Sequence, residues 1–378
     1  LGLEEQGSIG VSFTDKGHVI FFNTDSGRII HDEDLGLPAR ISSVSANLDL
    51  VVLALENGSV LATQYKFDLS YPDNVRTLTP RLEFPLGKDQ LVLDESGESL
   101  SHVVVQMTED GAGLAAVTQD KRLVFASYTR EESFLSGEIT TELEYRDEQP
   151  YAGNILSIAL TPGLDHLYTA TDNGRLLDYS LDKKGFDGNT AEYIFDHDIT
   201  RLQLLLGGSS LLVGLENGEV QQWMSVRTES GREFVYIRNF HANKQAVNAI
   251  ATEQRRKGFS VADINGNITL YYSTSQRTLA TINTANTVIE QMAWSARAQH
   301  LLAIDNHNRV HLYEVHNEYP EISWDVLWGK VWYEGYDEAD YIWQSSASTN
   351  EFEPKLSLVP LSFGTIKAAF YAMFFAVP

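Results

Sequence analysis

Apolar and polar residues alternate along most of this chain with a period of two, and the alternation comes in a phrase that recurs seven times. In each copy an apolar strand runs into a short polar turn and out into a second strand rich in β-branched and aromatic residues. One copy reads Leu50-Val51-Val52-Leu53-Ala54-Leu55, then Glu56-Asn57-Gly58, then Ser59-Val60-Leu61-Ala62. The seven turns fall at Gly17, Gly58, Asp120, Gly174, Gly218, Gly266 and His307. Four carry Asn-Gly: Asn57-Gly58, Asn173-Gly174, Asn217-Gly218 and Asn265-Gly266. That dipeptide between apolar runs predicts a tight hairpin of type I′, with both central residues at positive φ. Roughly twenty residues before each hairpin lies another alternating strand, such as Ile155-Leu156-Ser157-Ile158-Ala159-Leu160 or Val247-Asn248-Ala249-Ile250. A small polar turn, for example Gly207-Gly208-Ser209-Ser210, separates the two. No convincing helical stripe occurs before Ile322.

The spacing sets the architecture. From Gly174 to Gly218, Gly266 and His307 the steps are 44, 48 and 41 residues, and from Gly17 to Gly58 the step is 41. Four-stranded blades of toroidal folds repeat at about 40–45 residues. Over roughly residues 8–318 the chain therefore resembles the WD40-like β-propellers, although the Trp-Asp dipeptide that names them is missing from every repeat. The expected fold is all-β, a seven-bladed propeller followed by an aromatic-rich segment and the start of a transmembrane helix. The corresponding divisions are 1–318, 319–355 and 356–378. Two steps through Asp120 are longer, and the excess falls in residues 71–98 and 129–150, which read as long inter-strand loops. The first unit is expected to lack its inner strands, to be supplied from upstream or from the other end of the ring.

Charge and composition narrow the chemistry. With 52 acidic against 28 basic residues the formal net charge is -24, which repels phosphate backbones and anionic lipid and argues against nucleic acid as the main partner. There is no cysteine, so disulfides, thiolate chemistry and Cys-ligated zinc are excluded. The start at Leu1-Gly2-Leu3 has neither a basic nor an apolar leader pattern, and an apolar run is still open at Pro378; both ends read as cut and without a signal peptide. His307, His311 and His316 lie on and after a strand, where residues four apart are separated by ~13 Å, so no metal site is expected of them. Asp263, Asn265 and Asn267 imitate half a Ca²⁺ loop, but Gly266 and Thr274 break its pattern and a hairpin turn explains them. Asp25-Ser26-Gly27-Arg28 resembles a turn of quinone-cofactor propellers; it occurs once, and such enzymes repeat it in blade after blade. Gly111-Ala112-Gly113 reads as a turn, and Arg255-Arg256-Lys257, beside Glu253, as a solvated hairpin tip. No catalytic residue, cofactor or metal ligand is expected.

After His316 the composition changes. Four of the six tryptophans fall between residues 322 and 343, and the spacing of Trp324, Trp328 and Trp332 predicts one helical face. With Trp343 these are candidate membrane-interface residues, rings with one end dry and the other wet. Residues 356–378 carry a single charge, Lys367, and match the ~20-residue length of a membrane-spanning helix. Leu327-Trp328-Gly329-Lys330-Val331-Trp332, Leu358-Val359-Pro360-Leu361, Gly364-Thr365 and Ala376-Val377-Pro378 resemble the permease subunit of bacterial phosphate-specific ABC transporters. The resemblance covers about the last fifty residues, with Pro360, Gly364, Thr365 and Pro378 as the motif matches.

That resemblance implies a permease whose first periplasmic loop has grown into a propeller, at the outer face of a bacterial inner membrane. The solute would be phosphate or a related oxyanion, and the propeller would dock or sense. The implied partners are a second permease subunit, an ATPase and a periplasmic solute-binding protein. The family's cytoplasmic coupling loop is absent. Two rivals stand beside this reading: a soluble WD40-type interaction scaffold with a buried C-terminal helix, and a quinoprotein-like enzyme.

Overall fold

The computed structural model describes residues 1–133, 137, 139–228, 231–241, 245–284, 287–346 and 353–376. Seven antiparallel sheets follow one another along the chain as the blades of a propeller. Blade 1 comprises Gly2–Leu3, Ile9–Phe13, His18–Asn23 and Ile29–Asp34; blade 2, Ile41–Asn47, Leu50–Leu55, Ser59–Ser70 and Thr77–Glu83. Blade 3 comprises Leu100–Met107, Gly111–Thr118, Arg122–Glu132 and Ile139–Pro150; blade 4, Ile155–Leu160, His166–Thr171, Arg175–Asp182 and Gly185–Ile194. Blade 5 comprises Ile199–Leu204, Ser210–Leu215, Glu219–Thr228 and Gly231–His241; blade 6, Val247–Thr252, Gly258–Asp263, Asn267–Tyr272 and Arg277–Asn283. Blade 7 is Ile289–Trp294, His300–Asp305 and Val310–Glu314.

The recurring hairpin is the second and third strand of every blade. Leu50–Leu55, Gly111–Thr118, Ser210–Leu215 and Gly258–Asp263 are buried along their whole length, because neighbouring blades cover both faces. Strands covered on both sides read as continuous apolar runs. The core is accordingly divided among the blade interfaces, with one apolar cluster at each. Leu3 and Phe22 of blade 1 share theirs with Leu302 of blade 7, closing the ring. Glu5 adds ion pairs to Arg297 at 3.1 Å and to Arg255 at 3.3 Å.

All seven hairpin turns place one left-handed residue at the same position: Gly17, Gly58, Lys121, Gly174, Gly218, Gly266 and Asn308. The four Asn-Gly pairs are in tight turns at equivalent places, as expected, but the type I′ geometry holds only at Asn173-Gly174, where both φ values are 66°. Elsewhere the glycine amide donates to the carbonyl three residues back, Gly58 to Leu55, Gly218 to Leu215 and Gly266 to Asp263. A side-chain oxygen then takes the next free amide: Asn57 accepts from Ser59, Asn217 from Glu219, and Asp263 from Asn267. These are three-residue turns closed by a left-handed glycine.

Three expectations need correction. Residues 71–98 and 129–150 are not long loops: they contain the fourth strands Thr77–Glu83 and Ile139–Pro150 and part of Arg122–Glu132, with Leu91–Val92 added beside Ser59–Ser70. An outermost strand has little to bury, so its sequence carries almost no apolar pattern; Ile139–Pro150 is partly or fully exposed throughout. Blade 1 is not the incomplete unit, since Gly2–Leu3 supplies its innermost strand. Among the described residues it is blade 7 that has three strands, and Val310–Glu314 has no buried residue. Finally, Gly111-Ala112-Gly113 is buried strand rather than turn. A Cβ on Gly111 would stand 1.8 Å from the Tyr128 carbonyl oxygen, so this glycine permits a close backbone approach.

Candidate functional site

Successive strands of a blade run in opposite directions, so the turns between strands 1–2 and 3–4 gather on one face of the ring. The Asn-Gly-type turns and the inter-blade connections gather on the other. We call these the near face and the far face. First strands line a central channel with a cavity of about 540 Å³, bordered at the near face by Leu48, Pro162, Gly207 and Gln254. His102 lines it with a positive φ of 48°, and burial together with Arg201 holds its imidazole below the usual range.

The segment after blade 7 does not hang free. It runs onto the near face of blades 5 and 6 as a strap. Ser275 donates to the Pro320 carbonyl at 2.7 Å, and Arg277 to those of Tyr319 and Ile322 at 3.3 and 3.2 Å. Helix α1 (Trp324–Trp328) follows, capped by the Ser323 hydroxyl, which accepts from the Val326 amide. Val326 of this helix forms a small buried cluster with Val331, Tyr333, Ile342 and Leu356.

A polar latch fastens the strap. Lys257, 5% exposed, donates to Glu334 at 2.5 Å and also to the Leu206 carbonyl. The other Glu334 oxygen accepts from Ser210 at 2.6 Å, and Ser210 in turn accepts from Gln222 at 2.8 Å. Arg238, 6% exposed, donates to the Ser273 and Thr274 carbonyls at 2.9 Å each and to that of Trp332. Burial pulls the Arg238 guanidinium below its ordinary range, and the Glu353 and Glu334 carboxylates work against that shift. Thr274 donates to Glu353. Lys355 sits 5.6 Å from the ring centres of both Tyr333 and Tyr336, a cation–π arrangement.

The strap passes directly into helix α2 (Val359–Ala376). The Ser357 amide donates to Ile342 and the Leu358 amide to Leu327, at 3.0 and 2.8 Å, so the helix starts from a fixed base. Its 18 residues are apolar enough to cross a membrane, and none is buried. Phe375 is 82% exposed.

The candidate interface residues gather around this base. Trp324 is 78% exposed, and Trp328 and Trp343 are also exposed. The expected single face through Trp332 fails, because Gly329 ends α1 after five residues. Trp332 lies outside it, half-buried, its indole donating to the Tyr336 carbonyl at 2.8 Å. Pro360 occupies the first turn of α2, where its missing N–H costs nothing. In the same helix Thr365 donates back to Leu361 at 2.9 Å, and the space beside Gly364 is open. Pro378 lies outside the described residues.

Sequence reasoning missed the latch and misread one of its parts. In Arg255-Arg256-Lys257 only Arg255 is the solvated tip expected; Arg256 pairs with the buried Glu253 at 2.9 Å, and Lys257 is buried. The other motifs are turns or strand ends. Asp263 accepts from the amides of Asn265 and Asn267, each at 2.9 Å. Asp25-Ser26-Gly27-Arg28 closes on Asn23. His311 pairs with the buried Asp305 at 3.0 Å, His316 with Glu314 at 3.1 Å, and His307 sits in an exposed turn. Among the described residues no three His, Asp or Glu side chains converge as metal ligands.

No protein-family model matches the chain, and no curated protein matches it. The permease resemblance of the last fifty residues therefore gains no support from these comparisons. Solved structures do match. The propeller domain of Cps50 (Swd1) from Myceliophteria thermophila aligns with a TM-score of 0.54 and 14% identity, over 84% of this chain and 98% of that one. Sqt1 of Chaetomium thermophilum, solved bound to the N-terminus of ribosomal protein L10, aligns with a TM-score of 0.50 and 12% identity, over 83% of each chain. At such identities the likeness speaks for the fold alone. The chain is a seven-bladed WD40-like β-propeller that ends in an exposed apolar helix.

Proposed function

We propose that this chain is a protein-interaction propeller without chemistry of its own, working at a membrane to which α2 holds it. Protein binding is supported by the fold's rigid ring of turns and by the Sqt1 propeller, which was solved holding a peptide segment of another protein. The membrane is supported by one observation above all: α2 leaves its apolar side chains uncovered on every side. The WD40-type interaction scaffold has the support of the fold comparisons; only its buried terminal helix departs from the exposure of α2, because apolar patches beyond a few hundred Å² are rare on soluble monomers.

A narrower version makes α2 a permease helix of a phosphate-type transporter, with the propeller outside the bacterial inner membrane. Its specific support is that Pro360, Gly364 and Thr365 all fall within α2. Transporter subunits and a solute-binding protein would then be the partners. Photocrosslinkers at Asp15 and Glu216, on far-face turns, test the interaction reading in cells making the full protein. The reading predicts one discrete protein adduct that disappears in the presence of excess unlabelled propeller. Diffuse labelling that the competitor leaves unchanged contradicts it.

A further inference from the structure

We infer that the near face of the ring lies down on the lipid headgroups, leaving the far face, with its seven hairpin turns, as the surface open to a protein partner. This rests on the reading of α2 as a membrane helix and goes beyond it by fixing which way the propeller faces.

Two observations carry it. The first is the absence of slack. The strap is fastened to near-face groups of blades 5 and 6, through Leu206, Lys257, Ser273, Thr274 and Ser275. The Leu358 amide is still bonded to α1 when α2 begins at Val359, so no tether lets the ring stand off or turn over. The second is the collar of exposed aromatic rings on α1 and at the helix base: Trp324, Trp328, Tyr341 and Trp343. Indole and phenol rings favour the headgroup level, and their place on the strap puts that level against the ring's near face. One consequence is that the near-face mouth of the channel is shut by the bilayer, and a partner must approach from the far side.

The chain has no cysteine, so single-cysteine labelling is unambiguous. Asp25→Cys and Lys184→Cys report the near face in blades 1 and 4, away from the strap; Asp15→Cys and Glu216→Cys report the far face. All four positions are exposed, and circular dichroism checks that each variant folds. The labelled full chain is reconstituted into phosphatidylcholine–phosphatidylglycerol vesicles containing a headgroup nitroxide lipid. The inference predicts several-fold stronger quenching at residues 25 and 184 than at 15 and 216. Vesicle-bound protein quenched equally on both faces, more strongly on the far face, or on neither, overturns the orientation alone. Protein that does not float with the vesicles overturns the membrane reading, and the orientation with it.

Discussion

Glu334→Ala isolates what the latch contributes. Lys257 is buried and has two partners, the Glu334 carboxylate at 2.5 Å and the Leu206 carbonyl. Removing one member of a buried pair costs about 3–5 kcal/mol, because the remaining charge is left dehydrated. The strap has an escape, since lifting away lets Lys257 rehydrate, and the loss is then capped at the strap's docking free energy. Burial of Val326, Val331 and Tyr333 contributes roughly 1.5–3 kcal/mol per side chain, part of it within the strap itself. A local loss of about 3 kcal/mol follows, and at 1.4 kcal/mol per tenfold this is on the order of 100-fold more frequent opening. Hydrogen exchange reads it directly. The amides of Val331, Asp340 and Leu358, bonded to Asp340, Val331 and Leu327, are expected to exchange ~100-fold faster, while blade amides such as that of Val213 stay protected. The double variant Lys257→Met/Glu334→Leu is expected to recover most of the protection, as buried ion pairs replaced by apolar groups often do. Unchanged exchange in Glu334→Ala, or a loss spread evenly over the blades, refutes the latch.

Three further outcomes follow from the blades. Gly266→Val forces a side chain onto a left-handed backbone, φ 80°, with Cβ 2.1 Å from the Thr287 oxygen; it should lower stability by about 2–3 kcal/mol in urea titration, against about 1 for Gly335→Ala, which has open space at a similar φ. Arg122→Ala removes the guanidinium that holds the buried Asp94 at 2.9 Å as well as Asp120 and Glu148, for a loss of about 3 kcal/mol in the same assay. Asp305 supplies a pH signature. Burial drives its pKa up, but bonds from His311, the Arg309 and His307 amides and the Arg309 guanidinium outweigh that and hold it well below the ordinary 3.8. Its stabilisation is therefore complete above about pH 4 and is lost as pH falls through the depressed value, so Asp305→Asn should flatten the acid limb of the urea midpoint against pH.

Most of the ring was legible in the sequence because its second strands are covered on both faces and its hairpins need a left-handed residue. Leu50–Leu55 and Ser210–Leu215 announce themselves as unbroken apolar runs, and Gly58 and Gly218 mark where they end. The outer strands were not legible: Thr77–Glu83 and Ile139–Pro150 satisfy their backbone groups in the sheet without burying a side chain, so nothing in their composition separates strand from loop. The tryptophan spacing was misleading for a local reason, since Gly329 stops α1 before Trp332. The latch left no trace at all. Glu334 meets Lys257 and Ser210 across 77 and 124 residues, and no period or motif encodes so remote a pairing of single polar side chains.

The central claim is that the ring is complete without α2 and that α2 serves a bilayer. Two proteins decide it, the full chain and a chain ending at Leu358, which keeps the whole strap. Each is mixed with phosphatidylcholine–phosphatidylglycerol vesicles, floated on a density gradient and, separately, melted. None of α2 is buried, so the account predicts equal melting temperatures, with only the full chain floating with the vesicles. A shortened chain that unfolds many degrees lower, or one that floats as well as the full chain, contradicts it.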